Sequence, residues 1–210
     1  MKNLRLLLAD DEKLVRQGTA SLLEKNGITA VIYEADNGHE AIHLLQQHTV
    51  DGVLLDIRMP GKTGIEVLRE IKKSFPKTFV IAVTGFDGTE LILNLLQEGV
   101  HGFVQKINGV EEVLKALHVV ATGGRYFSGV VMQVIHAHAD QWETVPPVNF
   151  KDQELKLLKA IAEGLTTKEI ADRYCLSIRT AETNRQRLLR KTQSLNTAGL
   201  IAYAYRNGII

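Results

Sequence analysis

Short apolar runs of strand length alternate with longer segments of helical spacing through residues 1–122, and this alternation restricts the fold more than any other feature. The strand-like runs are Leu4–Ala9, Ala30–Ala35, Gly52–Asp56, Thr78–Val83 and Gly102–Gln105. Near-continuous apolar strands that alternate with helices indicate a parallel sheet covered on both faces. Because five strand–helix units are too few for an eight-stranded barrel, we predict an open, doubly wound α/β sheet.

The chain changes character after residue 122, and the strand-like runs stop. Gly123 and Gly124 end the fifth predicted helix, and Pro146 and Pro147 interrupt any helix in the segment that follows. Four further helices are predicted at Lys151–Glu163, Thr167–Tyr174, Ile178–Lys191 and Thr197–Arg206. We therefore expect an α/β domain over residues 1–122, a partly helical linker over 123–149 and a small all-α domain over 150–210.

Charge is distributed unevenly between these regions. Residues 1–149 carry 14 Lys and Arg against 18 Asp and Glu, whereas residues 150–210 carry 11 against 6. A basic module joined to an acidic one suggests that only the second domain meets a polyanion. The single cysteine excludes an intrachain disulfide, and no apolar stretch is long enough to span a membrane. We expect a cytoplasmic protein that does not bind membranes.

Polar residues follow several predicted strands at the same edge of the sheet. Asp10 and Asp11 follow the first strand, Asp56 ends the third, Thr84 follows the fourth and Lys106 follows the fifth. In the flavodoxin-like strand order 2-1-3-4-5, the first and third strands are neighbours, so the three carboxylates converge. Such a cluster repels itself unless a cation is present, and Mg²⁺ suits an oxygen-only site. Asp11 could instead only cap the next helix.

The strings LLADDE, LLDIRMPGKTG, VTGF and GFVQK resemble the receiver domain of two-component response regulators, over roughly residues 1–122. The resemblance implies that Asp56 is the phosphoacceptor, a carboxylate nucleophile that forms an aspartyl phosphate. It also implies that Asp10, Asp11, Asp56 and the backbone carbonyl of Arg58 bind Mg²⁺, and that Lys106 pairs with the phosphoryl oxygens. Phosphoryl transfer needs mainly positioning and charge neutralisation, and these groups supply both.

The same resemblance implies a conformational switch. The Thr84 hydroxyl would move to bond the phosphoryl group, and the aromatic ring of Phe103 would change rotamer with it. Two positions depart from the common receiver pattern, since Phe103 replaces the commoner tyrosine and Ile107 stands where many receivers have proline. The loop after Lys106 is therefore not shaped by a cis-proline.

Two consecutive predicted helices in the basic domain have clear starts. Thr166 or Thr167 is a plausible N-cap, with Glu169 at capping-box distance, and Ser177 caps the next helix. Cys175 in the turn between them is expected to be a small packed residue. The residues of the second helix expected to pack inward are Ile178, Ala181, Leu188 and Leu189. Two helices joined by a tight turn, the second rich in Arg and Gln, are typical of a helix-turn-helix.

The strings GLTTKEIA and SIRTAETNRQRLLRK resemble the LuxR/FixJ/NarL-type effector domain, a four-helix DNA-binding module, over residues 150–210. Glu182, Thr183 and Gln186 occupy positions that face the major groove in that family. The remaining DNA-contact candidates, chiefly cations suited to phosphates, are Lys168, Arg179, Thr180, Arg185, Arg187, Arg190 and Lys191. Ala181 and Asn184 replace the usual valine and frequent histidine. The final helix is implied to make dimer contacts.

Together these features predict a transcriptional regulator that is not an enzyme beyond autocatalytic phosphoacceptance and possible self-dephosphorylation. A sensor histidine kinase would phosphorylate Asp56, and the change in dimerisation or domain packing would alter binding to double-stranded DNA, with a homodimer as the active form. Two alternatives remain. A haloacid-dehalogenase-like phosphatase is disfavoured because its aspartate nucleophile lies on the first strand. A receiver that never takes phosphate and binds DNA constitutively is the other.

Overall fold

The computed structural model describes residues 4–85, 88–139 and 148–210. They form two compact units. The first comprises residues up to 87 together with 100–121, and the second comprises residues 88–99 together with 122–210. The part of the expected linker at residues 140–147, which includes Pro146 and Pro147, lies outside the described residues.

A parallel sheet forms the centre of the first unit. Its strands are β1 (Leu4–Ala9), β2 (Thr29–Ala35), β3 (Gly52–Leu55), β4 (Phe79–Thr84) and β5 (Gly102–Gln105). They follow the order β2-β1-β3-β4-β5, which confirms the predicted doubly wound topology. Every residue of β3 is buried, and so are all residues of β1 except Arg5. Burial on both faces is the reason that these strands are nearly continuous apolar runs.

Helices alternate with these strands along the chain. They are α1 (Lys13–Lys25), α2 (Gly38–Gln47), α3 (Gly64–Ser74), α4 (Thr89–Gln97) and α5 (Val110–Ala121), and a single 3₁₀ turn covers Lys106–Asn108. The start of α3 is fixed by a capping box, in which the Glu66 carboxylate accepts from the Thr63 backbone N–H at 2.8 Å. Four of these helices belong to the first unit, whereas α4 belongs to the second.

The second unit is mainly helical. Besides α4 it contains β6 (Tyr126–Phe127), α6 (Gly129–Ala137), α7 (Asp152–Ala162), α8 (Thr167–Arg173), α9 (Ile178–Lys191) and α10 (Thr197–Arg206). The four helices predicted after residue 150 are confirmed, and predicted ends of elements lie within two residues of the observed ones. The two-residue strand β6 was not predicted. Within the described residues, no helix combines the length and apolar character that crossing a membrane requires.

The last helix, α10, is the centre of the second unit. Residues 197–204 are all buried, because α10 packs against α4, α6, α7 and α9. Its N-cap residue, Asn196, makes two kinds of contact. The side-chain oxygen accepts from the Gly199 N–H at 3.0 Å, and the side-chain amide donates to the carbonyl oxygens of Leu96 and Gln97 at 2.9 and 3.3 Å. One side chain therefore links the start of α10 to the end of α4.

Candidate functional site

Two buried carboxylates meet at the carboxyl edge of the sheet. Asp10 directly follows β1, Asp56 directly follows β3, and the two strands are paired in register at Ala9 and Leu55. The Asp56 N–H donates to the Ala9 carbonyl oxygen at 2.7 Å, so the pairing continues into the site. Asp10 and Asp56 are 7% and 5% exposed. The topology therefore brings together two of the predicted carboxylates, as the strand order implied.

Asp11 completes a group of three acids. One ligand oxygen from each of Asp10, Asp11 and Asp56 lies within 4.8 Å of the others, and Asp11 is the exposed member. Burial raises the pKa of Asp10, against the opposing effects of the hydrogen bonds from Lys106 and from the Glu12 backbone. A compact, oxygen-only cluster with this excess of negative charge fits the ligand preference of Mg²⁺.

Lys106 is the cation of this site. Its Nζ lies 2.6 Å from Asp56 Oδ2, 2.7 Å from Glu12 Oε1 and 2.9 Å from Asp10 Oδ2. Burial by itself lowers the pKa of Lys106, but the hydrogen bonds to Asp56, Glu12 and Asp10 outweigh it and raise that pKa above its ordinary value. The ammonium is therefore charged at neutral pH.

Glu12 was not among the residues predicted for this site. Its backbone N–H donates to Asp10 Oδ1 at 2.9 Å, and it is the N-cap residue of α1. A signal was present in the sequence, because Glu12 directly follows the Asp10–Asp11 pair. We call the side chains of Asp10, Asp11, Glu12, Asp56 and Lys106 the acidic pocket.

The loop after β3 approaches Asp56 closely. The Arg58 backbone N–H donates to Asp56 Oδ1 at 3.1 Å, and the Gly64 N–H donates to the Ile57 carbonyl oxygen at 3.1 Å. A Cβ at position 64 would lie 2.3 Å from the Asp56 carbonyl oxygen, so only glycine fits there. The loop therefore returns over the end of β3, and its Arg58 N–H helps to fix the orientation of the Asp56 carboxylate.

The two residues expected to switch conformation are both buried. Thr84 is the last residue of β4 rather than the residue after it, and it is 1% exposed. Phe103 lies in β5 opposite Ala82 and is 2% exposed. Their strands are paired, and the fully buried Phe103 ring lies inside the core.

The predicted helix-turn-helix corresponds to α8 and α9. A capping box at Thr166 begins α8, where the Glu169 carboxylate accepts from the Thr166 N–H at 2.8 Å. The Ser177 hydroxyl accepts from the Thr180 N–H at 3.0 Å and begins α9. Both capping predictions are confirmed, with Thr166 rather than Thr167 as the N-cap. Cys175 has a φ of +53°, which produces the tight turn between the helices.

Two expectations for this region were wrong. Cys175 is exposed, not packed. Ile178, which was expected to pack inward, is the first residue of α9 and is 55% exposed. Ala181 and Leu188 are buried as expected, and Leu189 is only partly buried.

Most of the predicted DNA-contact side chains lie on the surface. The exposed ones are Lys168, Arg179, Thr180, Thr183, Gln186, Arg187 and Arg190. Glu182, Arg185 and Lys191 are partly buried. Lys191 pairs with Glu154 at 2.6 Å and lies 5.1 Å from the centre of the Phe150 ring. Exposed cations on α9 have the chemistry that phosphate contacts require.

Glu182, the sole acidic residue of α9, binds two of its neighbours on the same helix. Arg185 donates to both of its oxygens, at 3.1 and 2.8 Å, and the Gln186 amide donates at 3.0 Å. Burial opposes ionisation, but the hydrogen bonds from Arg185 and Gln186 leave the pKa of Glu182 below its ordinary value. This carboxylate is therefore charged and already engaged.

Arg125 lies near this group and was missed by the sequence analysis. Burial and, secondarily, the positive charge of Arg185 lower the pKa of Arg125, whereas Glu182 opposes this effect. The preceding segment contacts α8, since the Thr167 hydroxyl donates to the Gly123 carbonyl oxygen at 3.0 Å. No spacing pattern in the sequence relates residues 123–125 to α8 and α9.

Comparison with known protein families agrees with both halves of this description. Residues 6–118 match the family described as the response regulator receiver domain, and residues 149–204 match the family described as bacterial regulatory proteins, luxR family. YxjL of Bacillus subtilis, described as an uncharacterized transcriptional regulatory protein, is 31% identical over 99% of this chain and 97% of its own length. The response regulator GacA of Pseudomonas aeruginosa is 30% identical over 99% of this chain and 98% of its own.

Solved structures of response regulators are similar to this chain in fold. A LuxR-family two-component response regulator from Aurantimonas sp. SI85-9A1 is 30% identical, with a TM-score of 0.61, over 65% of this chain and 98% of that one. The RcsB response regulator of Salmonella typhimurium shares the fold at 24% identity and a TM-score of 0.60, over 97% of this chain and 98% of that one.

Proposed function

Because this chain belongs to the response regulators that join a receiver domain to a LuxR-type helix-turn-helix domain, we propose that phosphorylation of Asp56 by a sensor histidine kinase controls its binding to DNA. The contact of Lys106 Nζ with Asp56 Oδ2 at 2.6 Å is the observation that carries this proposal. A cation beside the buried Asp56 carboxylate prepares that carboxylate for a reaction in which negative charge accumulates.

In the proposed reaction, one oxygen of the Asp56 carboxylate forms a bond to phosphorus while the N–P bond of the donor histidine breaks. The electron pair of that bond returns to the imidazole nitrogen, which a solvent proton neutralises. Asp10, Asp11, Asp56 and the backbone carbonyl of Arg58 would hold Mg²⁺, which supplies positive charge to the phosphoryl oxygens. Lys106 would pair with the same oxygens, and self-dephosphorylation by water would reverse the modification.

Thr84 and Phe103 would report the modification to the rest of the chain. Both are buried on paired strands, with Thr84 two residues beyond Ala82, the register partner of Phe103. Movement of the Thr84 hydroxyl towards a phosphoryl oxygen would open space on the side of the sheet that Phe103 shares. A buried ring has discrete alternative rotamers, and two discrete arrangements are what a switch requires. The switch would change dimerisation or domain packing, with a homodimer as the DNA-binding form. The proposed domain limits are 1–122 for the receiver, 123–149 for the linker and 150–210 for the effector.

On DNA, α9 would enter the major groove. Thr183 and Gln186 would contact base edges together with Glu182, once Glu182 exchanges one of its present partners. Phosphate contacts would come from the surface cations and hydroxyl near the groove, namely Lys168, Arg179, Thr180, Arg185, Arg187, Arg190 and Lys191. The net positive charge of residues 150–210 supports this assignment.

The test is to incubate the protein with Mg²⁺ and acetyl phosphate and to record its intact mass. We expect one phosphoryl adduct on the wild type and on the surface control Asp36→Ala, and none on Asp56→Ala. DNA binding is then compared with and without the adduct. If the wild type gains no adduct, or binds DNA equally in both forms, the constitutive DNA binder is the better description.

A further inference from the structure

The ammonium group of Lys106 is saturated with carboxylate partners. An ammonium has three N–H donors, and the distances of 2.6, 2.7 and 2.9 Å to Asp56, Glu12 and Asp10 account for all three. A phosphoryl group that arrives on Asp56 needs at least one of these donors. One of the three carboxylates must therefore give up its bond to Lys106 before the phosphoryl oxygens are neutralised.

The three partners differ in how easily they are released. While the phosphodonor approaches, Asp56 is still a carboxylate. Asp10 and Asp56 are 7% and 5% exposed, so a bond to Lys106 lost at this stage would leave a buried carboxylate without compensation. The Glu12 side chain is 60% exposed, and water solvates its carboxylate as soon as it leaves Lys106. Glu12 is therefore the partner that yields at the lowest cost.

The backbone holds Glu12 at this position independently of its side chain. Its N–H donates to Asp10 Oδ1 at 2.9 Å, and its carbonyl oxygen accepts the first helical bond of α1, from the Arg16 N–H at 3.0 Å. The side chain extends from this fixed point to Lys106. Glu12 also lies outside the cluster of Asp10, Asp11 and Asp56 that suits a metal ion.

We propose that Glu12 is a positioning residue that restrains Lys106 and competes with the incoming phosphoryl group for it. This inference rests on the proposed phosphorylation of Asp56. In the unphosphorylated chain, the Glu12 carboxylate holds the Lys106 ammonium group in one position within the acidic pocket. During phosphorylation, a phosphoryl oxygen replaces the Glu12 carboxylate on Lys106, and the displaced carboxylate turns to solvent. Glu12 thereby slows phosphorylation and weakens the binding of anions that mimic the phosphoryl group.

The first experiment measures the rate of phosphorylation by acetyl phosphate in the presence of Mg²⁺. Glu12→Gln keeps the length of the side chain and removes its charge, and we expect a rate about two- to fivefold above wild type, the range that an exposed ion pair supports. Glu111→Gln is the matched control, because Glu111 is an exposed glutamate in the first turn of α5. Its rate should equal that of the wild type.

A second variant distinguishes the effect of the Glu12–Lys106 contact from the effect of the negative charge at position 12. Glu12→Asp keeps the negative charge but is one methylene shorter, so it loses the 2.7 Å contact with Lys106. We expect its rate to lie between those of wild type and Glu12→Gln. The same ranking should appear in the affinity for beryllofluoride, a phosphoryl mimic, measured by fluorine NMR with Mg²⁺ present. This readout does not depend on turnover.

The decisive comparison is made in a Lys106→Ala background, where Glu12 has no cation to restrain. If Glu12 acts through Lys106, the gain from Glu12→Gln disappears in that background. An equal gain in both backgrounds would show that Glu12 acts only as a general negative charge and would overturn the proposal. A rate for Glu12→Gln at or below wild type overturns it as well.

These outcomes are distinct from a failure of the proposed function. If wild type gains no phosphoryl group on Asp56 under the same conditions, the phosphoacceptor assignment fails and the role of Glu12 fails with it. If wild type is phosphorylated and the Glu12 variants match it, the phosphoacceptor assignment stands and only the role of Glu12 is refuted.

Discussion

Charged side chains are held in opposite ways in the acidic pocket and on α9. In the pocket, Asp10, Asp56 and Lys106 follow separate strands, so the sheet determines where they meet, and water reaches them poorly. On α9, Glu182 and Arg185 lie on one helix and bind each other beside exposed cations. A cluster that the sheet brings together cannot relax when one charge is removed, whereas a cluster on a helix surface can exchange its partners. The fixed arrangement in the acidic pocket suits a proposed phosphoryl-transfer site, and the exchangeable partners on α9 suit a proposed reversible DNA contact.

Removal of the cation from the pocket should have the largest effect. Lys106→Met leaves the carboxylates of Asp10 and Asp56 buried and mutually repelling, and we expect the free energy of unfolding to fall by about 2–3 kcal/mol in metal-free buffer at pH 7. Urea denaturation measures this. Lys115→Met, at an exposed position of α5, is the control and should change the free energy by less than about 0.5 kcal/mol. Equal losses for both variants would show that the acidic pocket is no more sensitive to the loss of a cation than an exposed helix position.

Substitutions on α9 should change DNA binding rather than folding. Gln186→Ala removes a side chain assigned to base edges, and we expect the preference for specific over random DNA to fall by about 1–3 kcal/mol. Arg187→Ala removes an exposed cation and should weaken binding to both DNAs equally. The slope of log K against log salt concentration should decrease in magnitude by about one, as expected for the loss of one phosphate contact. Titration of labelled duplexes at several salt concentrations separates the two patterns. Equal losses of specific and random binding for Gln186→Ala would refute the base-reading role.

The pH dependence of stability should differ in sign between the two regions. Burial raises the pKa of Asp10, so its ionised form destabilises the fold. This cost is absent at pH values below the ordinary pKa of aspartate and develops fully as the pH rises through the raised pKa. We therefore expect Asp10→Asn to gain stability relative to wild type across that window, in Mg²⁺-free buffer. Thermal melts from pH 3 to 8 measure it, with Asp36→Asn as the surface control.

Glu154 in the second unit should show the reverse behaviour and the smallest effect. The hydrogen bond from Lys191 lowers the pKa of Glu154, so its contribution to stability is present above the ordinary pKa of glutamate. It is lost as the pH falls through the lowered pKa. Glu154→Gln should cost about 0.5 kcal/mol at pH 7 and nothing at pH 2. Asp152→Asn, in the same turn of α7, controls for helix-end charge.

The acidic pocket could largely be predicted from sequence because its members follow strands. Once the strand order was inferred, Asp10, Asp56 and Lys106 had to lie at one edge of the sheet, and the structure places them there. Glu12 could not be predicted in the same way. Glu12 is the N-cap residue of α1, and no periodicity specifies that its exposed side chain extends towards Lys106.

The helices of the second unit were predicted from the sequence, but several contacts between its side chains were not. Caps at Thr166 and Ser177 follow from local hydrogen bonding, so sequence revealed them. Arg125 approaches Glu182 across 57 positions of sequence, and such a contact depends on packing that no local rule encodes. Ile178 was expected to be buried because helical spacing identifies an apolar face but does not specify which part of that face is covered.

The double contact of Asn196 has a practical consequence for protein fragments. A fragment that ends at residue 122 keeps α4 but loses Asn196, whose amide binds the last carbonyl groups of α4. A fragment that begins at residue 123 keeps α10 but removes α4 from its surface. A cut between residues 122 and 123 therefore divides one of the two compact units. Each isolated half would expose apolar surface that the intact chain covers.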